Sequence, residues 1–282
     1  MTELLGKTAA DAVNERLKAQ IAELESKGIT PTLAVVRVGA REDDLAYERG
    51  IKKKFSDMGC EVTVVELPED VSQEDLDETV AALDLDNEIH GILLFRPLPK
   101  HLTDKNIVNT ISSGKDVDCM GNANMAKLFA GDKTGFAPCT AQAVMEMIDH
   151  YGIDIKGKKV TVIGRSLVIG KPVALMLIAG NATVTVCHTK TADLKAECQA
   201  ADIIVAAAGK AKMITAEYVR PGQTVIDVGM NVDEEGKLCG DVDFAGVSEI
   251  VDAITPVPRG VGSVTTSVLL ANTVTNAARS AY

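Results

Sequence analysis

The sequence predicts an α/β protein of two domains, each with a parallel sheet covered by helices on both faces. The chain has 282 residues, which suits about two domains of roughly 100–200 residues each. Short apolar runs alternate with segments of helical periodicity, and the runs show little of the alternation that a solvated sheet face requires. Residues 103–138 are rich in turn formers. We expect them to form a bridge that lines a cleft.

The first series of elements begins with a helix from Thr8 to Leu24, where apolar residues recur at helical spacing. Gly28 follows this helix, at a position where glycine commonly ends one. Three strands and two further helices follow in alternation: TLAVVRVG, 43–58, EVTVVEL, 73–83 and GILLF.

The second series starts after the bridge with a helix from Ala141 to Tyr151. Five strand-like runs follow, with short helical stretches between them: KKVTVIG, ATVTVC, DIIVAAAG, QTVIDVG and DAITPV. A last helix, from Ser267 to Arg279, packs on the second domain or returns to the first.

Composition argues against several classes of protein. The formal net charge is −11 and no basic block exceeds Lys52–Lys54, so nucleic acid is not an expected partner. We expect no signal peptide and no membrane span, because no apolar run has the required length. The cysteines and histidines are scattered. We therefore expect reduced thiols, a cytoplasmic protein and no metal site.

The segment KKVTVIGRSLVIGKPVALMLI carries the clearest binding signal. A strand, Val160–Ile163, runs into Gly164, and a helix is predicted to start near Ile169 with Pro172 in its first turn. Gly164 permits a tight turn, Gly170 permits close backbone approach, and the N–H groups of the helix start face an anion. This is a dinucleotide-binding arrangement with the spacing GxSxxxG rather than GxGxxG. A strand–turn–helix without a ligand is the alternative.

The residues that follow favour NADP over NAD. NAD-binding folds usually place an acid about 20 residues beyond the glycine turn, on the ribose hydroxyl. Here the strand ends in His188, Thr189 and Lys190, and Arg165 lies in the turn. These side chains suit a phosphate, which a carboxylate would repel. An ordinary polar loop is the alternative, and Arg165 could instead stack on an adenine.

Several segments, in order and over essentially the whole chain, resemble the methylenetetrahydrofolate dehydrogenase/methenyltetrahydrofolate cyclohydrolase family. The segments are Tyr47 on its helix, PLP at Pro97–Pro99, KDVD at Lys115–Asp118, PCT at Pro138–Thr140, GRSLVIGKP, ATVTVCHTKT, VIDVG with GDVDF, and TPVPRGVGSVTT. The resemblance implies an N-terminal α/β folate domain (1–139 plus 268–282), a C-terminal Rossmann-type NADP domain (140–267) and a cleft between them. It also implies a homodimer and NADP-dependent oxidation of 5,10-methylenetetrahydrofolate.

The resemblance assigns two sets of residues. Tyr47 and Asp118 are the catalytic residues, with Tyr47 against the folate ring system and Asp118 hydrogen-bonded to the pterin. The folate-binding set is Tyr47, Phe95, Pro97, Asp118, Pro258, Arg259 and Gly260. The cofactor set is Gly164, Arg165, Ser166, Gly170, His188, Thr189, Gly209, Met230 and Thr265.

Two departures from the family pattern concern its cyclohydrolase step. By resemblance this step uses a lysine four residues after the tyrosine, where this chain has Ile51, and a glutamine where it has Phe95. Neither residue has a titratable or polar side chain. Lys52 is rotated by about 100° around the helix from that position. We therefore expect weak or absent cyclohydrolase activity, unless Lys52 or Arg96 replaces the lysine through a rotated helix.

A third departure is Arg259, where the family typically has glycine. A residue with a Cβ restricts the backbone there, and Arg259 either narrows the folate cleft or contacts the glutamate tail.

Two other functions remain open from the sequence. One is another two-domain NADP dehydrogenase, such as one acting on a shikimate-like acid. The other is a nucleotide-sensing module without turnover, which Ile51 and Phe95 favour.

Overall fold

The computed structural model describes residues 1–281 and divides into two compact units. The six-stranded unit comprises Met1–Ala12 and Thr140–Thr265, and the three-stranded unit comprises Val13–Cys139 and the chain from Thr266 onward. The compact units divide at 139/140 and at 265/266, and the predicted domains divide at 139/140 and at 267/268. Residues 1–12, however, which we assigned to the folate domain, lie in the other unit.

The elements follow the predicted alternation. The strands are β1 (Thr2–Glu3), β2 (Thr32–Val38), β3 (Glu61–Leu67), β4 (Gly91–Leu94), β5 (Lys159–Ile163), β6 (Thr183–Cys187), β7 (Ile203–Ala206), β8 (Thr224–Asp227), β9 (Asn231–Val232), β10 (Leu238–Cys239) and β11 (Ala253–Ile254). The helices are α1 (Gly6–Ser26), α2 (Glu42–Asp57), α3 (Gln73–Leu85), α4 (Ile107–Thr110), α5 (Asn122–Ala130), α6 (Cys139–His150), α7 (Gly170–Ala179), α8 (Leu194–Ala200), α9 (Phe244–Ser248) and α10 (Gly262–Ser280).

The three-stranded unit is built on a parallel sheet of order β3-β2-β4. All seven residues of the central strand β2 are buried, as expected for an apolar strand covered on both faces. Leu76 and Val80 of α3 pack into one core with Val36 and Ile92 of the sheet. The side chain of Lys115 ends α3, because its Nζ donates to the carbonyls of Asp84 and Asp86, both at 2.6 Å.

The six-stranded unit is a parallel sheet of order β1-β11-β8-β7-β5-β6. Ile163, the last residue of β5, pairs with Cys187 of β6 and with Ala206 of β7. The loops after these three strands therefore leave one edge of the sheet, which in open α/β sheets is the edge where ligands bind. The α/β architecture with two parallel sheets confirms the predicted fold class.

Four local features differ from the prediction. The strand β1 was not predicted; it joins the six-stranded sheet beside β11 and so determines the unit to which residues 1–12 belong. The antiparallel pair β9–β10 was also missed. The loop-rich bridge contains the helices α4 and α5, and α10 begins at Gly262 rather than at Ser267.

Within residues 1–281, no helix is both long and apolar enough to cross a membrane. The same part of the chain holds no cluster of three or more His, Cys, Asp or Glu side chains arranged for a metal ion. All six cysteines are buried and none forms a disulfide with another.

Candidate active site and cofactor site

Tyr47 and Phe95 form the aromatic part of the predicted substrate site. The two rings stack with centroids 5.6 Å apart and an interplanar angle of 25°. Phe95 is 7% exposed, whereas Tyr47 is 39% exposed. Phe95 therefore supports Tyr47 from the protein side and leaves part of the tyrosine accessible. Such a surface suits offset stacking with a flat heterocycle.

The hydroxyl of Tyr47 lies close to the side chain of Thr266 on α10. Its pKa is raised well above the ordinary value, chiefly because the surrounding protein displaces water, and further because the Cys139 thiol and the Asp118 carboxyl lie near it. A phenol is protonated at neutral pH even with its ordinary pKa, so this shift makes Tyr47 a still weaker acid. Thr266 was missed by sequence reasoning, although it lies in the quoted segment TPVPRGVGSVTT.

Asp118 lies beside Cys139, the first residue of α6. Its Oδ1 accepts the backbone N–H of Cys139 at 3.0 Å. Burial raises the pKa of Asp118, while the backbone N–H and the nearby thiol of Cys139 and the positive charge of Arg96 oppose that rise. A carboxylate offers about four acceptor positions, so this one retains capacity for donors from a ligand.

The other acid of the KDVD segment, Asp116, has a structural role. It is 1% exposed. Its oxygens accept the N–H groups of Met120 at 2.7 Å and Gly121 at 3.0 Å, and the amide of Asn124 at 3.0 Å. Asp116 therefore shapes the loop after β4, and Asp118 is the acid with acceptor positions for a ligand.

Ile51 and Lys52 occupy the positions that the sequence analysis singled out. Ile51 is fully buried. The ammonium of Lys52 lies 2.7 Å from Glu48 Oε1, and the Nε of Arg37 lies 3.0 Å from Glu48 Oε2. Burial by itself would raise the pKa of Glu48, yet Lys52 and Arg37 together lower it. Lys52 is thus bound to Glu48, which supports the reading that it does not replace the missing lysine.

Pro97 lies in the three-stranded unit and lines a cavity of about 380 Å³ together with Gly39, Arg41 and Glu69. Its peptide bond with Arg96 is cis. The guanidinium of Arg96 lies 3.5 Å from the Asp104 carboxylate.

Pro258, Arg259 and Gly260 form a turn in the six-stranded unit. Arg259 has a φ of 84°, a backbone region that favours glycine. This backbone conformation accounts for the glycine that the family typically has at this position. The guanidinium of Arg259 reaches Glu3 of β1 at 3.2 Å. A Cβ added to Gly260 would collide with the carbonyl of Pro256.

The cofactor turn has the backbone that the sequence predicted. Gly164 has a φ of 120°, and a Cβ there would collide with the carbonyl of Ala207. A Cβ on Gly170 would collide with the carbonyl of Gly164. Ser166 Oγ accepts the N–H of Ile169 at 3.1 Å and so holds the start of α7. Arg165 and Ser166 are exposed, so the turn presents its polar groups to a ligand.

The loop after β6 also fits a phosphate group. The Nδ1 of His188 accepts the backbone N–H of Lys190 at 3.1 Å, which leaves the proton of a neutral imidazole on Nε2. The N–H of His188 donates to Thr191 Oγ1 at 2.8 Å. Thr189 and Lys190 are exposed. Phosphate recognition needs donors such as these.

A buried acid holds the loop after β7, where Gly209 lies. Asp241 is fully buried and accepts the backbone N–H groups of Ala208 at 2.5 Å, Gly209 at 3.0 Å and Lys210 at 2.8 Å. Asp241 was missed by sequence reasoning, although it belongs to the quoted GDVDF segment. Of the other predicted cofactor residues, Met230 is 67% exposed and Thr265 is half-buried on α10.

The fold and these sites define a two-domain α/β enzyme with a dinucleotide-binding unit and a separate catalytic unit. Residues 4–118 match the family model of the tetrahydrofolate dehydrogenase/cyclohydrolase catalytic domain. Residues 138–281 match that of the tetrahydrofolate dehydrogenase/cyclohydrolase NAD(P)-binding domain. The chain belongs to the tetrahydrofolate dehydrogenase/cyclohydrolase family.

Individual members of this family are similar to the chain over nearly its full length. The chain is 52% identical to the bifunctional protein FolD of Carboxydothermus hydrogenoformans, covering 96% of this chain and 95% of that protein. Its fold matches the bifunctional FolD of Campylobacter jejuni with a TM-score of 0.95, 41% identity and 98% coverage of both chains. The Trypanosoma brucei FolD, solved with NADP and an inhibitor, matches with a TM-score of 0.93, 37% identity and 99% and 98% coverage.

Proposed function

We propose that this chain oxidises 5,10-methylenetetrahydrofolate to 5,10-methenyltetrahydrofolate with NADP as the hydride acceptor. The main observation behind the proposal is that one chain contains both the Tyr47–Asp118 site and the Gly164–Gly170 turn. The near-full-length identity to bifunctional FolD proteins supports it and disfavours a module without turnover.

The two units divide the work in this proposal. The three-stranded unit binds the folate: Tyr47 stacks on the pteridine, and Asp118 accepts hydrogen bonds from the donor edge of the same ring. The six-stranded unit binds the dinucleotide, with its phosphates at the start of α7. When bound, NADP supplies the carbon that accepts the hydride. The protein contributes binding and orientation, which are its usual contributions to cofactor chemistry.

NADP fits the residues present better than NAD does. The turn at Gly164 and Gly170 serves either dinucleotide, because a Cβ at these positions would collide with backbone carbonyls of the protein. Hydrogen-bond donors for a phosphate are supplied by the side chains of Arg165, His188 and Lys190. The 188–190 loop itself contains no carboxylate. The test compares kcat/KM for NADP and NAD in the wild type and in Arg165→Ala. The variant is expected to lose about 10- to 100-fold with NADP and to change little with NAD. An equal loss with both cofactors would assign Arg165 to the adenine instead.

The cyclohydrolase step is weak or absent in this proposal. Ile51 and Phe95 supply no proton donor or acceptor, and Lys52 is bound to Glu48. General acid–base groups contribute about 100- to 10,000-fold, so the loss is measurable. The deciding assay supplies methylenetetrahydrofolate and NADP and follows NADPH, methenyltetrahydrofolate and formyltetrahydrofolate together. NADPH formation with methenyltetrahydrofolate accumulating is the expected result. Methenyl decay well above the buffer rate that disappears in Lys52→Ala would overturn it.

We further propose a cytoplasmic homodimer that binds no nucleic acid. The net charge of −11 and the six buried, reduced cysteines support this setting. The hairpin β9–β10 carries exposed apolar side chains at Val232 and Leu238, and a two-stranded hairpin needs further packing for stability. Light scattering should report a dimer for the wild type and a monomer for Val232→Glu/Leu238→Glu. A monomeric wild type would contradict the proposal.

A further inference from the structure

Asp241 ties together two loops at the edge of the six-stranded sheet where ligands bind in open α/β folds. In the loop after β7, its Oδ2 accepts the backbone N–H groups of Ala208 and Gly209, and its Oδ1 accepts that of Lys210. The same Oδ1 accepts the side-chain amide of Asn231 at 2.9 Å, in the segment after β8. Four donors therefore converge on one fully buried carboxylate and fill its acceptor positions.

Asp227, the last residue of β8, holds Asp241 in place. Its Oδ1 accepts the backbone N–H groups of Gly229 at 2.9 Å and of Asp241 at 3.0 Å, and its Oδ2 accepts that of Val242 at 2.9 Å. Two glycines leave room for the two acids. A Cβ on Gly229 would collide with the carboxyl of Asp241, and a Cβ on Gly240 would collide with that of Asp227. Packing and hydrogen bonds together therefore determine where the Asp241 carboxylate lies.

The order of the strands indicates which half of a dinucleotide these two loops face. Four of the strands lie side by side in the order β8-β7-β5-β6. The proposed function places the pyrophosphate at the turn after β5 and the ribose phosphate of the adenosine half at the loop after β6. The nicotinamide half must then extend to the other side of β5, over the ends of β7 and β8. Gly209 and Met230, both predicted cofactor residues, lie in the loops after these two strands.

We infer that Asp241 is a positioning residue for the nicotinamide half of the cofactor, because it holds the loops after β7 and β8 as one surface. The inference rests on the proposed function and adds to it a buried residue whose oxygens are occupied by donors of the protein. Other loops hold the phosphates and the adenosine. Loss of the Asp241 carboxylate should therefore loosen one end of the bound dinucleotide and leave the other end in place.

The test is Asp241→Asn, titrated by calorimetry with two ligands. NADP occupies the whole site, whereas adenosine 2′,5′-bisphosphate carries only the adenosine half and its phosphates. The asparagine keeps one acceptor oxygen but places an NH2 group against N–H donors, so the two loops should separate. We expect the Kd of NADP to rise at least about 10-fold, the effect of losing a hydrogen bond to a charged acceptor. The Kd of the bisphosphate should change by less than about twofold, because it contacts distant loops.

Two further measurements support the comparison. In turnover at saturating NADP, Asp241→Asn should lower kcat, because hydride transfer needs the nicotinamide in its reacting geometry, and should leave the folate KM little changed. Asn231→Ala removes one donor to the Asp241 carboxylate and keeps the acid itself. It should raise the Kd of NADP about 3-fold, as expected for one hydrogen bond, without weakening the bisphosphate. This variant decides the matter if Asp241→Asn does not fold.

Gln223→Met is the matched control in the same unit. Gln223 is also fully buried and also makes three hydrogen bonds to loop backbone. Its amide donates to the carbonyls of Cys198 and Ala201, and its oxygen accepts the N–H of Arg220. These residues precede β7 and β8 and so lie at the opposite edge of the sheet. The variant should lower thermal stability without changing the Kd of either ligand.

An unchanged Kd of NADP in folded Asp241→Asn and Asn231→Ala would overturn the inference. An equal loss of both ligands would also overturn it, because Asp241 would then maintain the whole unit rather than one half of the site. The same loss in Gln223→Met would show a general effect of stability and would have the same consequence. A wild type that binds NADP but forms no NADPH from methylenetetrahydrofolate would contradict the proposed function instead, and the two titrations would still test the role of Asp241.

Discussion

The ring of Phe95 supports the ring of Tyr47, with the two centroids 5.6 Å apart. By family resemblance a glutamine belongs at the position of Phe95 and a lysine at that of Ile51. On that resemblance, this chain has apolar side chains at both positions beside the same tyrosine. The first prediction concerns the effect of restoring the lysine and the glutamine at these two positions.

The double substitution Ile51→Lys/Phe95→Gln is expected to create hydrolysis of methenyltetrahydrofolate. A lysine one turn from Tyr47 can relay protons, and the glutamine can orient it, so a gain of at least about tenfold over the wild type is expected. The readout is the decay of methenyl absorbance.

Each single substitution serves as a control and should gain much less. Ile51→Met, which is apolar and of similar size, should gain nothing. If the folded double variant hydrolyses no faster than the wild type, these two positions do not account for the missing activity.

Asp118→Asn is expected to raise the folate KM by about 10- to 100-fold, because a hydrogen bond to a charged acceptor contributes about 1.5–3 kcal/mol. Asp116→Asn is the matched comparison. It should lower the free energy of unfolding by about 1–3 kcal/mol, since its oxygens satisfy three buried donors. Steady-state kinetics and urea unfolding distinguish the two. The assignment of roles is wrong if Asp116→Asn has the larger effect on KM at full folding.

Arg259→Gly is expected to stabilise the protein by about 0.5–1 kcal/mol. Glycine adopts the φ of 84° without the steric cost of a Cβ, whereas the exposed ion pair with Glu3 contributes little. Arg259→Ala removes the guanidinium but keeps the Cβ, so it should give no such gain. Thermal unfolding of the three proteins provides the measurement, and a glycine variant less stable than the alanine variant would contradict the backbone argument.

Asp227 is expected to make stability depend on pH. Burial raises its pKa from 3.8 to about 7, although three backbone N–H groups oppose the rise and Asp241 adds to it. As pH rises from about 4 to 7, the unfolded chain loses this proton while the folded chain keeps it. This group therefore lowers stability over that interval and changes little above it.

Asp227→Asn removes this titration. Urea midpoints of the variant, measured from pH 4 to 7, should fall less steeply with pH than those of the wild type. The absolute stability of the variant is not diagnostic, because the amide cannot accept all three N–H groups. Parallel pH profiles for the two proteins would show that Asp227 keeps an ordinary pKa.

Much of the architecture was predictable because its causes are local. The strand β3 lies at the predicted residues 61–67, and the other main strands and helices lie within a few residues of their predicted bounds. The turn from Gly164 to Gly170 was predictable for the same reason. A strand, two glycines and a helix start follow one another within a dozen residues, and each requires a particular backbone.

The sequence by itself determined the α/β class, the cofactor turn and, through the resemblance, the positions of Tyr47, Asp118, Ile51 and Phe95. Only the tertiary structure decided which residues surround them. The strand β1 joins β11 across some 250 positions, and Thr266 and Asn272 reach Tyr47 and the Asp118 loop from the far end of the chain. Such contacts have no local period, because they depend on how distant elements pack and not on the residues beside each one.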